Sequence, residues 1–288
     1  MAAQGGKRPV RLGGPIYLKS DDPAALAREH RRLGYAAAYC PRASLKEPER
    51  IRAIEAAYRA ENVVIAEVGV WVNLLDPDAA KRKENLEKVT EGLALADAVG
   101  ARCCVDIAGS FNEKVWYGPH PKNFSKEFFD AAVENARKIT GAVKPKRAKF
   151  AYEMMGWCLP HDADTYLDLL RAIDRPSFGV HIDVCNGINS PQRFYNHAAF
   201  TRELFEKLGR YVVSCHAKDL AWPPEMNVHF VEVIPGRGEI DYRPQLEALA
   251  ALSHDAPLML EHLKSAEEYA EGAQFIRNTG ARIGVQFV

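Results

Sequence analysis

Eight short apolar runs recur along the 288 residues of the chain, each separated from the next by a longer amphipathic stretch. They are Val10–Tyr17, Ala36–Tyr39, Val63–Val70, Arg102–Ile107, Lys149–Met154, Phe178–Val184, Tyr211–Cys215 and Pro257–Leu260. Runs of this length read as buried strands, and the stretches between them carry helix punctuation. Asp21-Asp22-Pro23 combines an acidic cap with Pro in a first turn, and Gly34 marks the end of that helix. Asp76-Pro77 opens a second helix, with Leu86, Val89 and Leu93 at helical spacing and Gly100 as its stop. Ser125 opens a third, ending at Gly141; Asp162, Ser190, Tyr242-Arg243-Pro244 and Ser265 mark later starts. Strand and helix in strict alternation dictate a parallel sheet covered by helices. Eight such repeats in one chain fit an α/β fold of the single (β/α)8 TIM-barrel type better than a doubly wound sheet. Residues 1–8 read as a flexible N-terminal arm and 9–288 as the barrel domain.

Composition narrows the function. Lys and Arg total 38, and so do Asp and Glu. A zero net charge argues against a polyanion-binding surface, so no nucleic-acid partner is expected. No apolar run of about 18 residues is present, which argues against a membrane span. Met1 to Pro9 lacks the apolar stretch of a signal peptide. The six cysteines form no CxxC pair, so reduced thiols and a cytoplasmic location are the expectation. Gly13-Gly14-Pro15 and Gly236-Arg237-Gly238 both fall short of a dinucleotide-binding glycine pattern.

The chemistry gathers at the C-terminal ends of the last four strands, the face on which such barrels place active sites. These ends read Tyr152-Glu153-Met154, His181-Ile182-Asp183, Ser214-Cys215-His216-Ala217-Lys218 and Leu260-Glu261-His262. Period-two geometry puts His181 with Asp183, and Ser214 with His216 and Lys218, on shared faces. Glu153, Asp183, His216 and Glu261 are then aimed at one point. Any one of them alone reads as a paired or core residue. Together, three carboxylates and an imidazole suit one divalent cation, with Mn2+ the best match and Mg2+, Co2+ or Zn2+ also suited. Without it the carboxylates would repel.

These motifs, together with Pro235-Gly236-Arg237-Gly238-Glu239-Ile240-Asp241-Tyr242, resemble the xylose isomerase-like TIM barrels. The branch most similar is the sugar isomerases and epimerases, which includes ketose 3-epimerases, hydroxypyruvate isomerase and inosose dehydratase. The resemblance implies that Glu153, Asp183, His216 and Glu261 hold one metal, with Glu153 and Glu261 as catalytic base and acid on opposite substrate faces. Asn186 stands where ketose 3-epimerases carry a substrate-binding His, and Trp222 where they carry an Arg. The trinuclear site of the endonuclease IV-like branch needs further His and Glu ligands. The ends of strands two to four offer Tyr39, Trp71, Asn73 and Asp106 instead.

A metal so held acts as a Lewis acid on a carbonyl and its neighbouring hydroxyl, and a carboxylate takes the adjacent proton. The expected function is a divalent-metal-dependent isomerase or epimerase acting on a keto sugar or polyol derivative through an enediolate. A lyase on the same scaffold (dehydratase, decarboxylase or β-eliminating 3-keto-glycoside cleavage) is the alternative, and a non-catalytic sugar-binding barrel the third reading. Candidate substrate-binding residues are His181, Asn186, Lys218, Arg237, Trp71 and Trp157. Lys218 reads equally as an ion-pair partner of Glu261, His181 as a core residue, and Arg237 as a solvated loop side chain. Trp116, Tyr117 and Trp222 belong to the same loops; they suit sugar faces, or a subunit contact in a homo-oligomer. The irregular connection Gly109–Phe124 suits a lid. His262 should face the helices, and no base accompanies Cys158 or Cys185.

Overall fold

The computed structural model describes residues 7–288. Its barrel strands are β1 (Leu12–Gly13), β2 (Ala37–Tyr39), β3 (Val64–Gly69), β4 (Cys103–Asp106), β5 (Lys149–Glu153), β6 (Phe178–Asp183), β7 (Val212–Ala217) and, last in the chain, β10 (Leu258–Leu260). They close in the order β1-β10-β7-β6-β5-β4-β3-β2, with every pair parallel. Neighbouring strands follow one another in sequence, so each crossover carries its helix to the outside and the barrel has no open edge. This is the expected single (β/α)8 barrel. Residues 1–6 of the expected arm lie outside the described residues. The Arg8 amide donates to Ala250 O.

The first strand is far shorter than Val10–Tyr17. Gly14-Pro15 ends the ladder, because Pro has no N–H to donate, while Val10 bridges separately to Phe287. Gly13 is required by space: a Cβ there would lie 2.5 Å from both Ala37 O and Met259 Sδ. The helices start where local chemistry caps them. Asp22 accepts from the Ala24 and Ala25 amides ahead of α1 (Pro23–Arg32). After α2 (Pro48–Ala60), Asp78 rather than Asp76 caps α3 (Ala79–Val99), which Gly100 ends at φ 76°. Ser125 caps α4 (Lys126–Val143). That helix runs through Gly141, expected as its stop, and ends one turn later with Lys144 in the left-handed region. Asp162 and Thr165 form a capping box on α5 (Ala163–Ile173).

Three short helices, α6 (Val184–Gly187), α7 (Pro191–Tyr195) and α8 (His197–Leu208), follow β6. A two-stranded antiparallel hairpin, β8 (Asp219–Ala221) with β9 (Val231–Val233), then projects from the end of β7. α9 (Arg243–Ala251) and α10 (Ala266–Arg282) complete the outer layer. The hairpin is held by Asp219. Its carboxylate accepts from the amides of Leu220, Gly236, Gly238 and Ile240, which pins the Gly-Arg-Gly turn against the mouth. Burial nevertheless raises the Asp219 pKa, the four amides only partly offsetting it. Among the described residues no helix is long and apolar enough to cross a membrane.

Candidate metal centre

The four strand-end residues singled out above meet. Donor atoms of Glu153, Asp183, His216 and Glu261 all lie within 4.8 Å of one another. His216 Nδ1 is 2.8 Å from Glu153 Oε1, 2.8 Å from Glu261 Oε1 and 3.6 Å from Asp183 Oδ2. The ladder explains the convergence: Asp183 is in register with His216, and His216 with Met259, two residues before Glu261. Asp183 also caps α6, accepting from the Asn186 amide through Oδ1 at 2.8 Å. That leaves Oδ2 turned to the cluster.

The donor set fits a divalent cation. Asp183 Oδ2 and Glu261 Oε1 are buried and accept no aligned hydrogen bond, although Lys218 Nζ stands 3.0 and 2.7 Å away. Orphaned buried oxygens on converging carboxylates are what a hard ion with oxygen ligands satisfies. The electrostatics agree. Burial alone would raise the Asp183 and Glu261 pKa values, but His216 and Lys218 overcome it, holding Asp183 well below the usual range and Glu261 at about 2. In Glu153 burial wins, and its pKa is raised despite His216. Burial would lower His216 and Lys218, but the carboxylates around them raise both.

One central residue was not foreseen. Glu67, fully buried on β3, reaches across the barrel beneath the cluster. Its Oε2 is 3.2 Å from His216 Nε2, its Oε1 is 2.9 Å from His181 Nε2, and Ser214 Oγ donates to the same Oε1. Burial would raise the Glu67 pKa, but the two histidines hold it well below the carboxylate range. A carboxylate on Nε2 would keep a proton there, so that Nδ1 is the nitrogen that would give up its proton to a bound ion. His181 therefore acts beneath the centre rather than in the cavity. An isolated charge in the apolar run Val64–Val68 was the available signal.

Asn186 forms a bracket. Its Nδ2 donates to Glu153 Oε1 at 3.0 Å and its Oδ1 accepts from Lys218 Nζ at 3.1 Å. His262 departs from the alternation that would point it at the helices. At φ 61° it occupies the left-handed region, uncommon for a residue with a side chain, and its ring turns into the cavity. There its Nδ1 lies 2.8 Å from Glu232 Oε2 on β9. Arg237 is engaged elsewhere, bidentate to Glu271 on α10 at 2.6 and 2.7 Å.

Above the cluster lies a cavity of about 500 Å3. Trp71, Trp116, Tyr117 and Trp157 form its walls, and Glu153, Asn186, Lys218 and Glu261 its floor. The Trp71 ring centre is 6.3 Å from that of His216. Trp222 is not in this wall; it packs against Phe194, Tyr195 and Phe230 beside the hairpin. The Gly109–Phe124 connection is stitched to itself, with Ser110 Oγ donating to Gly118 O and Asn112 Nδ2 to Pro119 O. All six cysteines are free thiols, and every one but Cys40 is buried. Burial raises the Cys158 and Cys185 pKa values well above normal, which leaves both as poor nucleophiles.

Among solved structures, the fold is similar to endonuclease IV from Thermus thermophilus (17% identity, 94% of this chain and 99% of that one, TM-score 0.68). It is similar too to D-psicose 3-epimerase from Clostridium cellulolyticum with D-tagatose (15%, 94% and 99%, 0.64). A third is the probable 3-DHS dehydratase AsbF from Bacillus anthracis (13%, 94% and 98%, 0.66). Identities this low establish the shared fold and leave the reaction to the site. No curated protein matches the sequence. The family model for the xylose isomerase-like TIM barrel matches residues 23–279, and the chain belongs to that family.

Proposed function

We propose that the protein is a divalent-metal-dependent isomerase or epimerase of a keto sugar or polyol derivative. The observation that carries this reading is the convergence of Glu153, Asp183, His216 and Glu261, with two of their buried oxygens unpartnered. Those four residues would hold the ion, with Mn2+ preferred by the mixed oxygen and imidazole set. A bound divalent cation supplies Lewis acidity to a carbonyl and its neighbouring hydroxyl.

The protein's own groups do the rest. Glu153 lines the cavity, and its raised pKa makes it a stronger base than an exposed carboxylate for removing the proton next to the carbonyl. Asn186 holds that carboxylate in place through Nδ2. Glu261 stands across the same floor; because His216 and Lys218 hold its carboxylate ionised, it must first take up a solvent proton before it can return one from the other face. Lys218, cationic between Asp183 and Glu261, offsets negative charge that develops on the substrate oxygen. The Trp71 and Trp157 side chains cover C–H faces and exclude water. The substrate is a small carbohydrate or polyol, taken without nucleic acid or membrane.

A second reading, a lyase on the same scaffold, is favoured by Asn186 and Trp222. These positions carry the substrate-binding His and Arg in the ketose 3-epimerases the sequence resembles. Here Asn186 is occupied by Glu153 and Lys218, and Trp222 is packed away from the cavity. Incubating metal-loaded protein with keto sugars in D2O separates the two. Deuterium in a recovered isomer is expected for the first, whereas loss of water, CO2 or an aglycone supports the second. Glu153→Gln should keep its circular dichroism spectrum and slow exchange by about 10^2–10^4-fold. Exchange at the unmodified rate in that variant overturns the assignment of the base.

A further inference from the structure

The cavity above the metal centre is divided by chemistry. Its floor is polar and charged, and apart from the ion that the four converging residues would hold, the protein's own cations there are already paired. Lys218 Nζ is within 3.0 Å of both Asp183 and Glu261, and His262 is paired with Glu232. The walls are a different surface. Three of the four tryptophans in the chain, Trp71, Trp116 and Trp157, face this one space with Tyr117. Trp116 and Tyr117 form an edge-on pair with ring centres 5.1 Å apart. Trp71 and Tyr117 are 41% and 53% exposed, so their ring faces are not consumed by packing. A cluster of open aromatic rings costs free energy unless a ligand covers it.

Size completes the argument. About 500 Å3 lies in the range of pockets that enclose a drug-sized molecule. A sugar held at the carboxylate floor is covered by Trp71, the wall ring whose centre lies 6.3 Å from that of His216, and leaves the Trp116–Tyr117 wall unused. We propose that the substrate is an uncharged keto sugar carrying a flat apolar substituent, an aryl glycoside or a close relative, with that substituent held among Trp116, Tyr117 and Trp157. This rests on the metal-dependent sugar reading for the floor and adds the occupant of the walls. The same placement sets an aglycone beside the reacting carbons, where a β-eliminating enzyme would expel it.

The test is a matched pair of ligands, phenyl β-D-glucopyranoside and methyl β-D-glucopyranoside, titrated into the Mn2+-loaded full chain by calorimetry and by tryptophan fluorescence. Stacking and burial of one phenyl ring predict binding on the order of tenfold tighter for the phenyl compound, with altered tryptophan emission. Trp157→Ala should collapse the ratio to about twofold or less. Tyr117→Ala, at an exposed position where loss of folding is not expected, should lower it in the same direction. Equal affinities, no binding of either ligand at millimolar concentration, or a preference untouched by both substitutions would overturn the proposal. Repeating the titration in EDTA distinguishes the two layers of the argument. A phenyl preference that survives chelation leaves this inference standing while the metal-dependent reading loses support. Metal-dependent binding without a phenyl preference does the reverse.

Discussion

Strands β5, β6, β7 and β10 carry Glu153, Asp183, His216 and Glu261 at the mouth of the barrel, whereas β1 to β4 end in Gly13, Tyr39, Gly69 and Asp106. One half of the mouth is ionic, and its carboxylates and cations set each other's protonation. The other half contributes mainly through its loops, which bring Trp71, Trp116 and Tyr117 to the cavity. Two acids show the difference. Glu261 has His216 and Lys218 within 2.8 Å, and its pKa is held at about 2. Asp106 accepts from the Val72 and Ile107 amides through Oδ1, but Oδ2 is buried without a partner, and burial pushes its pKa far up. Chemistry that needs charge sits where cations and carboxylates answer one another; the opposite half supplies shape and dryness.

Glu67 is the charged residue on β3 that reaches the histidines of the ionic half, so its removal should do most to uncouple the two. Glu67→Gln leaves His216 and His181 without their carboxylate and allows the His216 proton to move to Nδ1, where it blocks a metal ligand. Loss of such a support is expected to weaken Mn2+ binding by about 10- to 100-fold. Breaking a buried ion pair should also cost about 3–5 kcal/mol of folding stability. Calorimetric metal titration reads the first and denaturant unfolding the second. A variant that is less stable but binds Mn2+ with unchanged affinity would reduce Glu67 to a core residue.

Much of this contrast was legible in the sequence, and the reason is geometric. Strand–helix alternation imposes the barrel, and the four ligands occupy equivalent strand ends, so adjacency in space follows from order in the chain. Glu67 was hidden because its partner His216 lies 149 residues away and only barrel closure joins them. His262 was misjudged because alternation assumes extended backbone, and its φ of 61° breaks that assumption one residue after Glu261. The β8–β9 hairpin was missed because its strands are three residues each, too short for a period to register. That hairpin matters to the site, since it delivers Glu232 to His262.

The ionic half should be acid-sensitive in a defined direction. The folded pKa of Glu261, about 2, is below its ordinary 4.5. Its contribution is therefore fully present above pH 4.5 and lost as pH falls toward 2, and is worth on the order of 2–3 kcal/mol in chelator-treated protein. Measured against Glu261→Gln, the advantage in Tm should shrink steadily from about pH 5 to about pH 3. Parallel curves across that range would mean that Glu261 is not paired with His216 and Lys218 in solution.

Asp106 should behave in the opposite sense and more weakly. Its folded pKa is raised above 3.8, so the ionisable group favours folding only in acid, and the advantage disappears as pH rises through the folded value. Asp106→Asn keeps the shape and the acceptor for the Val72 and Ile107 amides while removing the charge. The variant should gain about 1 kcal/mol over the parent at about pH 7.5, with the gap closing toward about pH 4. It should leave Mn2+ affinity within about twofold, because Asp106 is not one of the four converging ligands. A large loss of metal binding in Asp106→Asn would extend the ionic half across the mouth, and the division between a charged floor and an aromatic wall would have to be redrawn around β4.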